Sequence, residues 1–201
     1  MADAGDGERV EEAERERGEE AGGEHRWRLS TGPTEGTADP ERGARLGLMP
    51  DAMEGSMERS LRDTTLEPAL LEAYRETHYE VDGPRPIVLR VGERCEPVAE
   101  LMAAEAASCA AFVTAFNPFS EPLGDEENEA LLGSLRGSLT GAGWTLFEGQ
   151  GRHPSGEWAP ESSLLILGME RGEAAELGAR WRQNAVVWVG AGAVPELVLL
   201  R

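Results

Sequence analysis

The sequence predicts an α+β domain with the ferredoxin-like order β-α-β-β-α-β, preceded by an extra N-terminal helix and β-α pair and followed by one added strand. Large apolar side chains are scarce up to residue 60 and recur in nearly every block of ten after residue 65. The uncharged run 110–116 is typical of a central strand covered on both faces. Around this run, apolar residues switch between helical and strand spacing. We therefore expect a single folded domain over residues 66–201.

Residues 1–65 are expected to form a disordered acidic arm. Acidic residues outnumber basic ones there, and Gly, Ser, Thr and Pro are frequent. Such a composition buries too little apolar surface to offset the entropy that is lost when a backbone becomes ordered.

The composition excludes several classes of partner and compartment. With a formal net charge of -19, the chain would repel nucleic acids and anionic membranes, which are bound through Lys and Arg. Two cysteines are too few for a secreted disulfide framework, and the sequence contains neither a secretory signal nor an apolar stretch long enough to cross a bilayer. We therefore expect a cytoplasmic protein that binds no nucleic acid and no membrane.

Three elements are expected before the central strand. An apolar stripe at helical spacing predicts a first helix over residues 66–77, with His78 at its end. Alternating apolar residues predict a strand over 87–91, and Pro97 begins a short helix.

A helix, a strand and a loop follow the central strand. The Asn-Pro step at Asn117 ends that strand, because proline restricts the preceding residue and has no N–H to donate. Asp125 is a good N-cap for a helix that ends near residue 140. A strand is expected over 144–148, and the Gly, Pro and Ser content of 149–160 indicates a loop.

The remaining elements complete the β-α-β-β-α-β order. We expect a strand over 163–169, a helix beginning near Gly172, and closing strands over 186–189 and 196–200. If the last strand, which begins at Glu196 and ends at Leu200, is an unprotected edge, it would allow a homodimer to form.

Four short motifs occur in a specific order. They are TAFNPFS beginning at Thr114, EN at Glu127, PES beginning at Pro160 and QNA beginning at Gln183. In this combination the chain resembles a bacterial domain-of-unknown-function family, number 3293, over about residues 70–201. The resemblance implies no established activity and no catalytic or binding residue.

One position departs from the family's pattern. Arg182 precedes the Gln-Asn pair where the resemblance implies that glycine is more common.

The candidate ligand-binding residues share a position at the end of a helix or strand: Asn117, Ser120, Glu127, Asn128, Glu161, Gln183 and Asn184. The first four are expected to cluster, because a strand's C-terminal end adjoins the N-terminus of the helix that follows it. Such a cluster would form a pocket for a small polar ligand. The structural alternative is that Asn and Ser satisfy backbone groups in a turn and fix the loop to the helix.

Other chemistry-bearing residues offer less. Glu161 is a candidate general base if burial raises its pKa; the alternative is an ion pair with Arg180 or Arg182. Cys109 is expected to be a small core residue, and Cys95 an exposed, inert thiol. The histidines lack a second ligand at metal spacing, so the sequence indicates no metal and no cofactor.

Two functions follow from these residues. A non-enzymatic module that binds a small molecule or a protein is favoured, because no nucleophile and base are paired in the sequence. The alternative is a small hydrolase or transferase that uses Glu161 or Glu127 near the Asn117 loop. A buried carboxylate with a raised pKa, in a concave pocket shared with Asn117 and Gln183, would favour the enzyme. A flat surface with Glu161 in an ion pair would favour the module.

Overall fold

One antiparallel sheet with helices on both faces organises the protein. The computed structural model describes residues 64–83, 85–156 and 158–201. The predicted acidic arm, apart from residues 64 and 65, therefore lies outside the described residues. The elements, in chain order, are α1 (Pro68–Glu76), β1 (His78–Val81), β2 (Ile87–Leu89), α2 (Glu96–Ala104), β3 (Ala110–Thr114), a 3-10 turn (Pro118–Ser120), α3 (Asp125–Gly141), β4 (Thr145–Arg152), β5 (Glu161–Leu167), α4 (Arg171–Arg180), β6 (Ala185–Val189) and β7 (Pro195–Leu199).

The sheet has seven strands in the order β2-β1-β4-β5-β3-β6-β7, and all neighbouring strands are antiparallel. The mixed helix and strand class predicted from the sequence is thereby confirmed. Strand β7 lies at one edge of the sheet, as β2 does at the other.

Two apolar layers hold the helices against the sheet. Strand β3 takes part in both, because its successive side chains alternate between the faces and all but Thr114 are buried. One layer packs α3 and α4 on the sheet through Ala111, Val113, Ile166, Trp188, Leu132, Leu135, Ala174 and Leu177. The other packs α2 on the opposite face through Ala110, Phe112, Phe147, Leu165, Val187, Val98 and Met102. The expectation of a strand covered on both faces is correct.

Strand β1 was not expected from the sequence. The first helix ends at Glu76, and His78 begins a strand instead of ending the helix. Tyr79 and Val81 are buried and alternate with partly exposed residues, but four residues are too few for this alternation to stand out in the sequence. The strand joins β2 to β4 and so extends the sheet.

Strand β4 is longer than the predicted 144–148, so part of the predicted loop 149–160 is strand. The glycines in this segment indicated a loop, yet Gly149 is buried within the ladder. A Cβ at Gly149 would lie 2.3 Å from the carbonyl oxygen of Glu80 in β1. Glycine is needed here because two backbones approach closely.

Smaller differences occur at helix starts. Gly124, rather than Asp125, is the N-cap of α3, and no side chain caps this helix. Asp125 instead contributes negative charge to the first turn, where the helix dipole favours it. Helix α4 begins with a capping box between Glu170 and Glu173.

Among the described residues, no helix is both long enough and apolar enough to span a membrane.

Replacing Gly149 by alanine is expected to lower the free energy of unfolding by about 1–3 kcal/mol, because the new Cβ cannot avoid the Glu80 carbonyl without moving a strand. The matched control is Gly151→Ala, where the nearest atom to a new Cβ is Thr77 Cγ2 at 3.6 Å, an ordinary contact. Urea denaturation of the full chain measures both. Equal stability of the Gly149→Ala variant and the wild type would contradict the close approach of β1 and β4.

Candidate functional site

A hollow lies on the sheet face opposite α3 and α4, at the end that α2 does not cover. Its floor is made of small residues in neighbouring strands. Gly151 pairs with Tyr79 of β1 and with Glu161 of β5, and one step further along the ladder Ser163 pairs with Gly149 and with Thr114 of β3. Gly151 and Ser163 carry little or no side chain, and the sheet leaves a cavity of about 460 Å³ beside them.

Helix α1 forms one wall of this cavity, and two loops form its rim. Leu70, Ala73 and Tyr74 line the cavity from α1, and Thr77 lines it from the position directly after the helix. The rim consists of residues from the turn after β3 and from the loop between β4 and β5: Asn117, Ser120, Pro122, Leu123, His153, Trp158, Ala159 and Pro160. The pocket is therefore concave, and its walls come from most of the strands and from the first helix.

Asn117 is the centre of the polar network at the rim. Its N–H donates to Asn128 Oδ1 at 2.8 Å, and its Oδ1 accepts from the Leu123 N–H at 2.9 Å and from Asn128 Nδ2 at 3.0 Å. Its Nδ2 donates to Glu161 Oε1 at 2.6 Å. Asn117 and Asn128 therefore fix the loop to the helix and also line the pocket. The same network holds the Glu161 carboxylate.

Glu161 is the carboxylate of this pocket. Burial raises its pKa above the ordinary value for glutamate, and the hydrogen bond from Asn117 opposes this shift in part. The structure pairs Glu161 with Asn117 and not with Arg180 or Arg182, and Glu161 forms no ion pair within the described ranges. The Glu161 carboxylate thus accepts one hydrogen bond, from the Asn117 amide, in a partly desolvated site.

Two tyrosines anchor α1 beside the pocket. The Tyr79 hydroxyl donates to the Tyr74 carbonyl at 2.7 Å, and burial raises the pKa of Tyr79, with Tyr74 and Glu161 adding to the shift. The Tyr74 hydroxyl hydrogen-bonds Ser120 Oγ at 2.7 Å, and Asn184 Nδ2 donates to both hydroxyls. The Asn184 Oδ1 atom is buried and has no hydrogen-bond partner in the described part of the chain.

The rim contains backbone conformations that are unusual for residues other than glycine. Asn117, Phe119 and Ser120 have φ values of 46°, 58° and 59°, in the left-handed region. Arg182 also has a positive φ, 57°, and its carbonyl accepts the Phe119 N–H at 2.6 Å. This conformation gives a physical reason why glycine suits the position of Arg182.

The structure brings most of the candidate residues together. Asn117, Ser120, Asn128, Glu161 and Gln183 line the pocket, and Gln183 donates its side-chain N–H to the Phe116 carbonyl at 3.1 Å. Asn184 is not in the lining but binds two side chains that are. Glu127 is exposed on α3 and lies outside the lining.

Sequence reasoning missed the floor and the wall on α1. The missed lining residues include Tyr74, Thr77, Tyr79, Thr114, Gly151 and Ser163. The signal that could have indicated the floor is the pair of glycines at alternate positions of β4, Gly149 and Gly151, since alternate residues share a face. Only the strand register shows that these positions adjoin one another.

The two cysteines are buried thiols. Cys95 is buried at the start of α2 rather than exposed as expected, and Cys109 is buried with its thiol 3.3 Å from the Met169 carbonyl oxygen. Burial raises the pKa of both thiols, which makes them poor nucleophiles. Among the described residues, no three His, Cys, Asp or Glu side chains are grouped to hold a metal ion.

The raised pKa of Glu161 implies a pH dependence of stability. Between the unfolded pKa of about 4.3 and the higher folded value, the native state binds more protons, so the free energy of unfolding should fall as pH rises. Glu161→Gln should remove this fall, as measured by urea denaturation at a series of pH values. Glu127→Gln, on an exposed residue, controls for the loss of one negative charge and should keep it. A wild-type curve with the same slope as that of Glu161→Gln would contradict the burial of this carboxylate.

Replacing Arg182 by glycine should raise the free energy of unfolding by about 0.5–1 kcal/mol, because relief of the left-handed backbone exceeds the entropy that glycine adds to the unfolded chain. The control is Arg180→Gly at the end of α4, which should lower it by about the same amount. Both are measured by chemical denaturation. A loss of stability at position 182 would argue against the left-handed conformation there.

Comparisons with known proteins place the central part of the chain. Residues 113–186 match the model of a family described as "Protein of unknown function (DUF3293)". No curated protein and no solved structure matches the chain. The matched segment runs from β3 to β6, so it contains the Asn117 network and Glu161 but not α1 or Tyr79. Over residues 113–186 the chain therefore resembles the DUF3293 family, whose description assigns no function.

Proposed function

We propose that this domain binds a small organic molecule in the pocket between α1 and the sheet. The observation that carries the proposal is the cavity of about 460 Å³, where apolar side chains and a few convergent polar groups meet. Ligand sites are typically concave, of roughly 300–1,000 Å³, and built in this manner. The concave shape favours a small molecule over a protein partner, which would need a broader and flatter surface.

The wider organisation of the chain is part of the proposal. We take residues 66–201 as a single domain and the unit from β3 to β6 as ferredoxin-like. The order β4-β5-β3-β6 supports this, because β5 separates β3 from β4, as a split β-α-β unit requires. In such a unit the end of β3 and the start of α3 adjoin, which is where Asn117 and Asn128 meet.

The alternative is a hydrolase or transferase that uses Glu161 for proton transfer. Its support is the raised pKa of Glu161 in a pocket shared with Asn117 and Gln183. Against it, the hydroxyls of Thr114 and Ser163 donate to backbone carbonyls, at 2.7 and 3.0 Å, rather than to the Glu161 carboxylate. A nucleophile activated by Glu161 would need a hydrogen bond to that carboxylate. Glu127 has no support as a base, since it lies outside the pocket. Binding without catalysis is therefore the better supported function.

Self-association through β7 stays a prediction. Its support is the position of β7 at the edge of the sheet, where backbone groups are available for pairing with another strand.

Filling the pocket should abolish ligand binding. Thermal-shift screening of the full chain against a metabolite library should find compounds that raise the melting temperature, because a ligand that binds only the folded state stabilises it. Ala185→Leu places a larger side chain in the lining and should remove this shift. Ala130→Leu, on the exposed side of α3, is the matched control and should keep it.

Two outcomes would contradict the proposal. One is a ligand whose shift survives Ala185→Leu unchanged, which would place binding elsewhere. The other is a library that yields no shift at all, which would favour a protein partner. Turnover of a bound compound, lost in Glu161→Gln, would favour the enzyme.

A further inference from the structure

We propose that the pocket selects a small organic cation, an amine or a quaternary ammonium compound, whose charged group lies between the Glu161 carboxylate and the rings of Tyr79 and Phe112. This inference rests on the proposed function, since it names the class of molecule that the same pocket would take. It comes from three features of the lining, which are its charges, the register of three strands and the arrangement of two rings.

The charged groups in the lining are mostly acidic. Glu161 and Asp125 are carboxylates, while His153 is the one basic residue type among the described lining residues. His153 Nε2 lies 3.3 Å from Glu76 Oε2, so this imidazole already has an acidic neighbour. With a formal net charge of -19 on the whole chain, an anionic ligand would be repelled both at a distance and in the pocket.

The strand register brings an aromatic residue and the Glu161 carboxylate to the same face of the sheet. Tyr79, Gly151 and Glu161 stand side by side on β1, β4 and β5, so glycine separates an aromatic ring from a carboxylate. Two strand spacings, about 9.5 Å in total, separate the backbones of Tyr79 and Glu161. The side-chain atoms nearest to the position of a Cβ on Gly151 are Thr77 Cγ2 at 3.6 Å and Tyr79 Cδ1 at 4.0 Å. The head group of a ligand would lie in the part of the cavity that Tyr79 and Glu161 both line.

Two aromatic rings meet in the lining of the same cavity. Tyr79 and Phe112 meet edge to face, with centroids 5.5 Å apart and planes at 71°. The ring of Tyr79 is held in place by its hydroxyl, which donates to the Tyr74 carbonyl. Both rings line the pocket, and aromatic rings attract cations through the negative charge on their faces. A carboxylate opposite aromatic rings is a complementary environment for an ammonium group.

Within the described residues Glu161 has no cationic partner, unlike Glu148 and Glu96. Glu148 is paired with Arg136 at 2.6 Å, and Glu96 with Arg94 at 2.8 Å. Glu161 receives a hydrogen bond from Asn117 on Oε1, and within the described residues no group donates to Oε2. A charged carboxylate in a partly desolvated site is stabilised by an opposite charge, which a bound ammonium group would supply.

A series of similar aromatic probes tests the charge preference. We would titrate the full chain with benzylamine, benzyltrimethylammonium, benzyl alcohol and benzoate at neutral pH, and follow the amide NMR signals of Gly149, Gly151 and Ser163. Both cations should bind at least about tenfold more tightly than benzyl alcohol, a difference of about 1.4 kcal/mol, and benzoate should bind weakest.

Variants assign the preference to the carboxylate. Glu161→Gln should reduce the affinity for both cations about tenfold or more while leaving that for benzyl alcohol nearly unchanged. Glu127→Gln, with the same loss of charge at an exposed position, should retain the wild-type preference. Circular dichroism confirms that each variant is folded.

The outcomes separate this inference from the function it rests on. If benzyl alcohol or benzoate binds in the pocket as tightly as the cations, and Ala185→Leu removes that binding, the pocket stands as a ligand site and the preference for cations is overturned. Cation binding that survives Glu161→Gln also overturns it. If no probe shifts the pocket amides, and the metabolite library gives no ligand sensitive to Ala185→Leu, both proposals fail.

Discussion

The close approach of β1 to β4 is the constraint on which the rest of the structure depends. Gly149 has the Glu80 carbonyl within 2.3 Å of the position that a Cβ would take, so only glycine permits this pairing. Two residues further along, Gly151 lies between Tyr79 and Glu161 in the floor of the cavity and adds no side chain there. The same short run of glycines therefore extends the sheet by β1 and β2 and makes the hollow in it.

The polar network around the hollow connects fold and function. Asn117 joins the end of β3 to the start of α3 through Asn128, and joins both to Glu161 at the start of β5. The cost of the left-handed backbone at Asn117 is offset by these hydrogen bonds, which satisfy groups that would otherwise be buried without partners. Burial raises the pKa of the Glu161 carboxyl, and the residue that fixes the loop also positions this carboxylate and opposes part of the shift. The same network can serve a binding site or a catalytic one, and the hydroxyls' bonds to the backbone favour the first.

Much of the fold could be predicted from the sequence, because its elements carry clear periodic signals. The segments that form β3 and α3 are long enough for their burial pattern to be visible in the sequence, as an uncharged run in β3 and as regularly spaced leucines in α3. Strand β1 has four residues, and the glycines of β4 resemble a loop, so neither could be recognised locally. In the candidate site, Asn117, Asn128 and Glu161 were found because polar residues at the ends of elements stand out. Tyr79 and Gly151 were missed because strand pairing brings them into the pocket lining, and a local sequence pattern does not indicate which strands pair.

The central claim is that a hollow of about 460 Å³ remains between α1 and the sheet, lined by Gly151, Tyr79 and Glu161. A high-resolution crystal structure of the chain tests it most directly. The account predicts ordered solvent or a bound small molecule above Gly151, within reach of a Glu161 carboxylate that accepts a hydrogen bond from Asn117. A structure in which α1 packs on the sheet so closely that the hollow is filled, or in which Glu161 points into bulk solvent, would contradict it.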